Sequence, residues 1–158
     1  MSDAEMRPNH LPWPPLIYVS AIALAIILRY LVPLPWITEP LSDMLFITGI
    51  GLVLAAIAMG VTAIRTLKRN KTTIRPDRPS EHLVTDGPFG ITRNPIYLAN
   101  SLVMIGIGLI VGSLWFLILS VVAGFLTQKM AIEGEERHLD IRFGKRYRDY
   151  KQRVRRWL

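Results

Sequence analysis

From Ile96 to Gln128 the chain runs for 33 residues without an Asp, Glu, Lys or Arg, and no other stretch restricts its fold as much. As one α-helix at ~1.5 Å per residue it would reach about 50 Å, too long for a single crossing of a hydrocarbon core ~30 Å thick. Gly112-Ser113 offers a break in its middle. Split there, the run yields segments 96–111 and 114–131, each somewhat shorter than a usual span and joined by a tight turn as a helical hairpin. Met44 to Ile64 adds 21 uncharged residues, close to the ~20 that one crossing needs. An earlier span, about 16–35, is interrupted by Arg29, which snorkels outward, and broken by Pro33 and Pro35. The pattern predicts an all-α integral membrane chain with four transmembrane helices in a single domain, 1–158. Gly49, Gly51 and Gly60 fit close helix packing better than a nucleotide loop.

Composition agrees, with 51% apolar residues and a mean hydropathy of +0.31. A net charge of +7 would suit nucleic acid, but the placement of the charges points elsewhere. Of the 19 Lys and Arg, seven fall in 65–93 and ten in 129–156, on either side of the long uncharged run. Both segments are expected to face the cytoplasm, and two earlier spans put the N-terminus there too. The basic pI is thus topology, and no nucleic-acid partner is expected. The compactness leads us to expect a bacterial inner membrane. Residues 1–15 are polar and proline-rich, and Asp3 and Glu5 stand where a signal peptide would be basic, so no cleaved signal is expected. The chain has no cysteine, which excludes thiolate catalysis and zinc-thiolate sites. His10, His82 and His138 are isolated, and no metal site is expected.

A shaped loop, 72–97, precedes the third span. Gly87-Pro88 and Gly90 mark turns, Pro95 pushes Asn94 out of the helical region, and Pro95 itself can open a helix. Arg93, Asn94 and Tyr97 then gather where a helix begins, at the membrane boundary. Free backbone N–H groups would make this a pocket for an anionic or polar ligand; the alternative is that the same residues only anchor the helix at the interface. After the fourth span, Glu133, Glu135 and Glu136 form an acidic helix start. Leu139, Phe143, Tyr147, Tyr150, Val154 and Trp157 follow at steps of three and four, which predicts one amphipathic helix over 133–158. Its basic face suits an anionic leaflet, and its apolar face suits the opening of the bundle.

Leu83-Val84-Thr85-x-Gly87-Pro88-Phe89, followed by Arg93-Asn94-Pro95-x-Tyr97, resembles the core motif of the membrane methyltransferases that include the isoprenylcysteine carboxyl methyltransferases and the phospholipid N-methyltransferases. Glu135-Glu136-x-x-Leu139-x-x-x-Phe143-Gly144-x-x-Tyr147-x-x-Tyr150-x-x-x-Val154 is similar to the C-terminal signature of that family, at the same distance beyond a helical hairpin. The resemblance covers roughly the C-terminal half.

It implies S-adenosyl-L-methionine as methyl donor, bound at the cytoplasmic membrane face. By position Leu83, Val84, Phe89, Asn94, Pro95, Ile96 and Tyr97 would contact the cofactor, Glu135 would hold its ribose or amino group, and Arg93 would pair with its carboxylate. Glu136, Glu133 or a water held by them would serve as base for an amine acceptor. The acceptor implied is a membrane lipid or lipophilic small molecule entering from the bilayer. Two departures bear on it: Asn94 stands where the prenylcysteine enzymes typically have histidine, and Ala131 where they carry an arginine suited to a substrate carboxylate. A prenylcysteine-like carboxylate is the alternative acceptor, with Lys129 as a substitute cation, and a non-catalytic membrane scaffold or regulator is the alternative to an enzyme.

Overall fold

The computed structural model describes residues 13–70 and 82–158. The expected polar N-terminal segment up to residue 12, and the 72–81 part of the expected loop, lie outside the described residues. The described residues are built of helices: α1 (Trp13–Leu31), α2 (Leu41–Arg69), α3 (Pro95–Val111), α4 (Leu114–Thr127), α5 (Glu133–Phe143) and α6 (Lys145–Arg153). A 3-10 turn, Gly87–Gly90, precedes α3, and a π turn, Gln128–Ile132, joins α4 to α5.

Three helices are long and apolar enough to cross a membrane: Trp13–Leu31, Leu41–Arg69, and the continuous stretch Leu114–Phe143. The shorter α3 has 17 residues and would measure about 26 Å. Helix ends follow local chemistry. Pro14 and Pro15 sit in the first turn of α1, where missing N–H groups cost nothing, and α1 stops before Pro33. Pro95 opens α3, and Gly112 closes it in the left-handed conformation (φ 65°) that residues with a Cβ avoid.

α3 packs between α2 and α4, and α4 packs on α1. In a bilayer, association depends on close van der Waals packing, and the helix contacts are accordingly made of small residues. A Cβ added to Gly49 would lie 2.7 Å from the Gly106 carbonyl oxygen, and one added to Gly106 would lie 2.7 Å from Val53 Cγ2. On the other side of α3, Ser120 Oγ donates to the Ser101 carbonyl (3.0 Å), while Gly108 lies against Phe116 and Leu117. Tyr18, Ala25, Met104, Phe116 and Ala123 form the buried core. Apolar side chains such as Ile27, Ile47, Leu54, Val121 and Phe125 point outward, the disposition of a bundle solvated by lipid.

The starts of α1 and α3 and the ends of α2 and α4 meet at one end of the bundle. Tyr18 Oη donates to the Tyr97 carbonyl at 3.2 Å, Thr66 lies beside Gly87, and Tyr97 reaches α5. At the opposite end Trp115 Nε1 donates to the Val32 carbonyl (2.7 Å) and Trp36 covers Gly112.

The tail differs from the single helix expected over 133–158. Gly144 (φ 53°, ψ −124°) breaks it into α5 and α6, and the chain leaves helix at Val154. That conformation belongs to glycine, and the i, i+3, i+4 spacing runs through it unaltered, so periodicity alone conceals the break.

Candidate functional site

The site is assembled from three segments at the bundle end where α3 begins. The first is the loop 83–94. Gly87 needs its positive φ of 58° to start the 3-10 turn, which the Phe89 and Ile91 amides close onto the Asp86 and Pro88 carbonyls. Asp86 ties the turn to the end of α2 by accepting from Arg69 Nη2 at 2.6 Å. Val84 and Pro88 are buried and Leu83 and Phe89 half-buried, so the loop presents apolar walls. Leu83 and Val84 precede the turn and stand outside the hydrogen-bonded cluster described next.

The second segment is the start of α3 with the start of α5. Tyr97 donates to Glu135 Oε1 at 2.6 Å, joining residues 38 apart in sequence. Glu135 is half-buried and, among the described residues, accepts only this hydrogen bond. Tyr18 completes the corner from α1, with its hydroxyl also 2.5 Å from Ser101 Oγ. The π turn immediately before α5 is the kind of local irregularity that re-aims side chains at functional positions. Within it Ala131 is buried and Lys129 exposed, and Lys129 Nζ is 2.8 Å from Glu133 Oε1.

The third segment is the tail after α6, which lies over the loop. Arg93 N–H donates to the Arg155 carbonyl (2.9 Å), and both Thr92 Oγ1 and Asn94 Nδ2 donate to the Arg156 carbonyl at 3.0 Å. Tyr150 Oη donates to the Phe89 carbonyl (2.6 Å), and Trp157 Nε1 to Gln128 Oε1 (2.9 Å). The side chain of Arg156 grips Glu136 through Nε at 2.9 Å and Nη2 at 2.8 Å, while Arg93 Nη1 reaches the same carboxylate at 3.0 Å. These bonds to Glu136 hold the Arg156 guanidinium above its ordinary pKa. Burial, aided by the Glu136 carboxylate, pushes the Tyr147 phenol up to about 12, so it stays protonated beside Arg93 Nη1, 3.5 Å away.

Of the residues singled out from sequence, Arg93, Asn94, Tyr97, Glu135 and Glu136 come together here. Pro95 is buried as the first residue of α3, and Ile96 is half-buried beside it. Asn94 turns its amide nitrogen to the tail, and Arg93 engages Glu136. Tyr18, Thr92 and Arg156 were not anticipated. A phenol inside an apolar span was the available signal for Tyr18, since a buried hydroxyl needs a partner. Arg156 had no local signal, because its partners Glu136, Asn94 and Thr92 lie 20, 62 and 64 positions away. Among the described residues no group of three His, Asp or Glu could hold a metal ion.

No curated protein and no solved structure matches the chain. A family model, Phospholipid methyltransferase, matches residues 44–146, taking in α2, the loop, α3, α4 and α5. Together with the apolar helices and the convergence of both motifs on one end of the bundle, a match over this share of the sequence identifies a membrane protein that belongs to the phospholipid methyltransferase family.

Proposed function

We propose that the chain is an S-adenosyl-L-methionine-dependent methyltransferase acting on a lipid or small lipophilic acceptor. The observation that carries the reading is the Tyr97–Glu135 pair, which unites the start of α3, just after the loop, with the acidic start of α5 at one end of an apolar bundle. In the membrane, α3 and α4 form a hairpin that crosses twice, giving four crossings in all. The basic segments put the site and both termini on the cytoplasmic side.

The residues present fit the cofactor. Glu135 has acceptor capacity to spare for a ribose hydroxyl or an ammonium group, and Arg93 Nε is a buried N–H with no acceptor among the described residues. Leu83, Val84 and Phe89 would supply apolar contact for an adenine-sized ring, and Asn94, Pro95, Ile96 and Tyr97 follow them at the start of α3. When bound, S-adenosyl-L-methionine supplies an electrophilic methyl group on a cationic sulfonium. The chain's own work is to align that group with the acceptor and keep water away, which needs neither a strong acid nor an oxyanion hole. Glu136 is assigned a holding role in place of the base role, because guanidinium groups occupy both its oxygens. An amine acceptor then arrives unprotonated or yields its proton to water at the open side of the site.

Calorimetric titration with S-adenosylhomocysteine tests the cofactor assignment, and a labelled-methyl assay on extracted membrane lipids identifies the acceptor. Binding without methyl transfer to any lipid would favour a scaffold that has kept the fold. Failure to bind would remove the enzyme reading altogether.

A further inference from the structure

The two halves of the proposed methyl-donor site come from distant parts of the chain, and few direct bonds join them. Asp86 ties the loop to α2, but its partner Arg69 is 74% exposed, and a pair so exposed adds little rigidity. The loop meets α5 directly through Arg93–Glu136, and the start of α3 meets it through Tyr97–Glu135. The other bonds described above pass through residues 147–157, all of them beyond the stretch that the family match covers. Within that tail Arg156 is bonded to both halves. Its carbonyl accepts from Thr92 and Asn94 on the loop, and its guanidinium donates to both oxygens of Glu136 on α5.

We propose that Arg156 is a positioning residue for methyl-donor binding, holding the loop and the start of α5 at the separation the cofactor requires. The proposal rests on reading the site as a methyl-donor pocket. Arg156 touches neither Tyr97 nor Glu135 among the described contacts, so it acts through Glu136 and the loop. Its planar fork suits this work, because two parallel N–H···O bonds fix orientation as well as distance, which a lysine ammonium cannot do. Arg93 Nη1 also lies 3.0 Å from Glu136, so removing the Arg156 side chain leaves the buried carboxylate with a cation beside it. Loss of Arg156 therefore loosens the site without stranding a charge in the fold.

The test is calorimetric titration of S-adenosylhomocysteine into the full-length protein and its variants. Arg156→Ala is expected to bind roughly tenfold to a hundredfold more weakly, the scale of losing charged hydrogen bonds. Arg156→Lys should be nearly as weak, and millimolar guanidinium should restore part of the affinity of Arg156→Ala. In the labelled-methyl assay the KM for the methyl donor should rise while that for the lipid stays put. Arg153→Ala, a nearby exposed cation, should bind as the parent does. Should Arg156→Ala fail to fold, Thr92→Val removes one bond to the Arg156 carbonyl with little change of shape, and a smaller loss of affinity is expected. Parental affinity in Arg156→Ala or Thr92→Val, or full affinity in Arg156→Lys, overturns the positioning role. No binding by the parent protein overturns the methyl-donor pocket itself, and that result is distinct from the others.

Discussion

Tyr97, in the first turn of α3, donates its phenolic proton to Glu135 in the first turn of α5 across 2.6 Å. Glu133 belongs to the same acidic turn but bonds to the exposed Lys129 at 2.8 Å and lies only at the edge of the Arg156 guanidinium, 3.9 Å from Nη1. Glu135→Gln and Tyr97→Phe should each weaken S-adenosylhomocysteine binding about tenfold to a hundredfold. Glu133→Gln should leave binding close to parental. Equal losses for Glu133→Gln and Glu135→Gln in the same titration would mean that the turn works through its summed charge and not through one positioned carboxylate.

The position of Glu136 between two guanidinium groups leads to a second prediction. Its side chain is 9% exposed and that of Arg156 30%, so removing the carboxylate leaves two poorly solvated cations facing each other. Glu136→Gln should cost about 3 kcal/mol, the low end for breaking a buried pair, given the partial exposure of Arg156. A lower unfolding temperature and weaker S-adenosylhomocysteine binding should appear together. A variant with parental stability and affinity but a collapsed kcat would restore Glu136 to the role of base.

What was legible in the sequence was local. Absence of charge marks the apolar helices, Pro95 opens α3, and Gly112 ends it, because each acts on its own few residues of backbone. The loop was legible as a shaped segment for the same reason. Asn94 stands in the loop just before α3, and its amide nitrogen serves the tail, a partner 62 positions away that no spacing rule reaches. The π turn at 128–132 has no composition of its own, and Gly144 sits inside a spacing that reads as continuous helix. The clamp on Glu136 depends on where the tail returns after that break, so it became visible only with the fold.

Topology gives a third prediction. The end of α2 holds Asp86 through Arg69, and the stretch that continues α4 delivers Glu135 to Tyr97, so both helices finish at the same end of the bundle. Reporter fusions after Asn70 and after Leu158 should therefore report the same compartment. Opposite compartments would mean that residues 96–128 cross once, and the loop and α5 would then be on different sides of the membrane.

The last prediction is that the methyl acceptor is not a prenylcysteine carboxylate. A carboxylate partly withdrawn from water needs a positioned cation, since leaving it unpaired costs several kcal/mol. At this site the cations are engaged: Arg93 and Arg156 both hold Glu136, and Lys129 holds Glu133. Ala131, where an arginine would meet a substrate carboxylate, is 4% exposed, while the side chain of Lys129, two residues earlier, is 51% exposed on another side of the turn. A neutral or amine-bearing lipophile makes no such demand. Purified protein with labelled S-adenosyl-L-methionine should therefore methylate a component of extracted membrane lipids and leave a farnesylcysteine analogue essentially unlabelled. Efficient labelling of the farnesylcysteine carboxylate would defeat this prediction. Loss of that labelling in Lys129→Ala would further show that the lysine leaves Glu133 to take the place of the missing arginine.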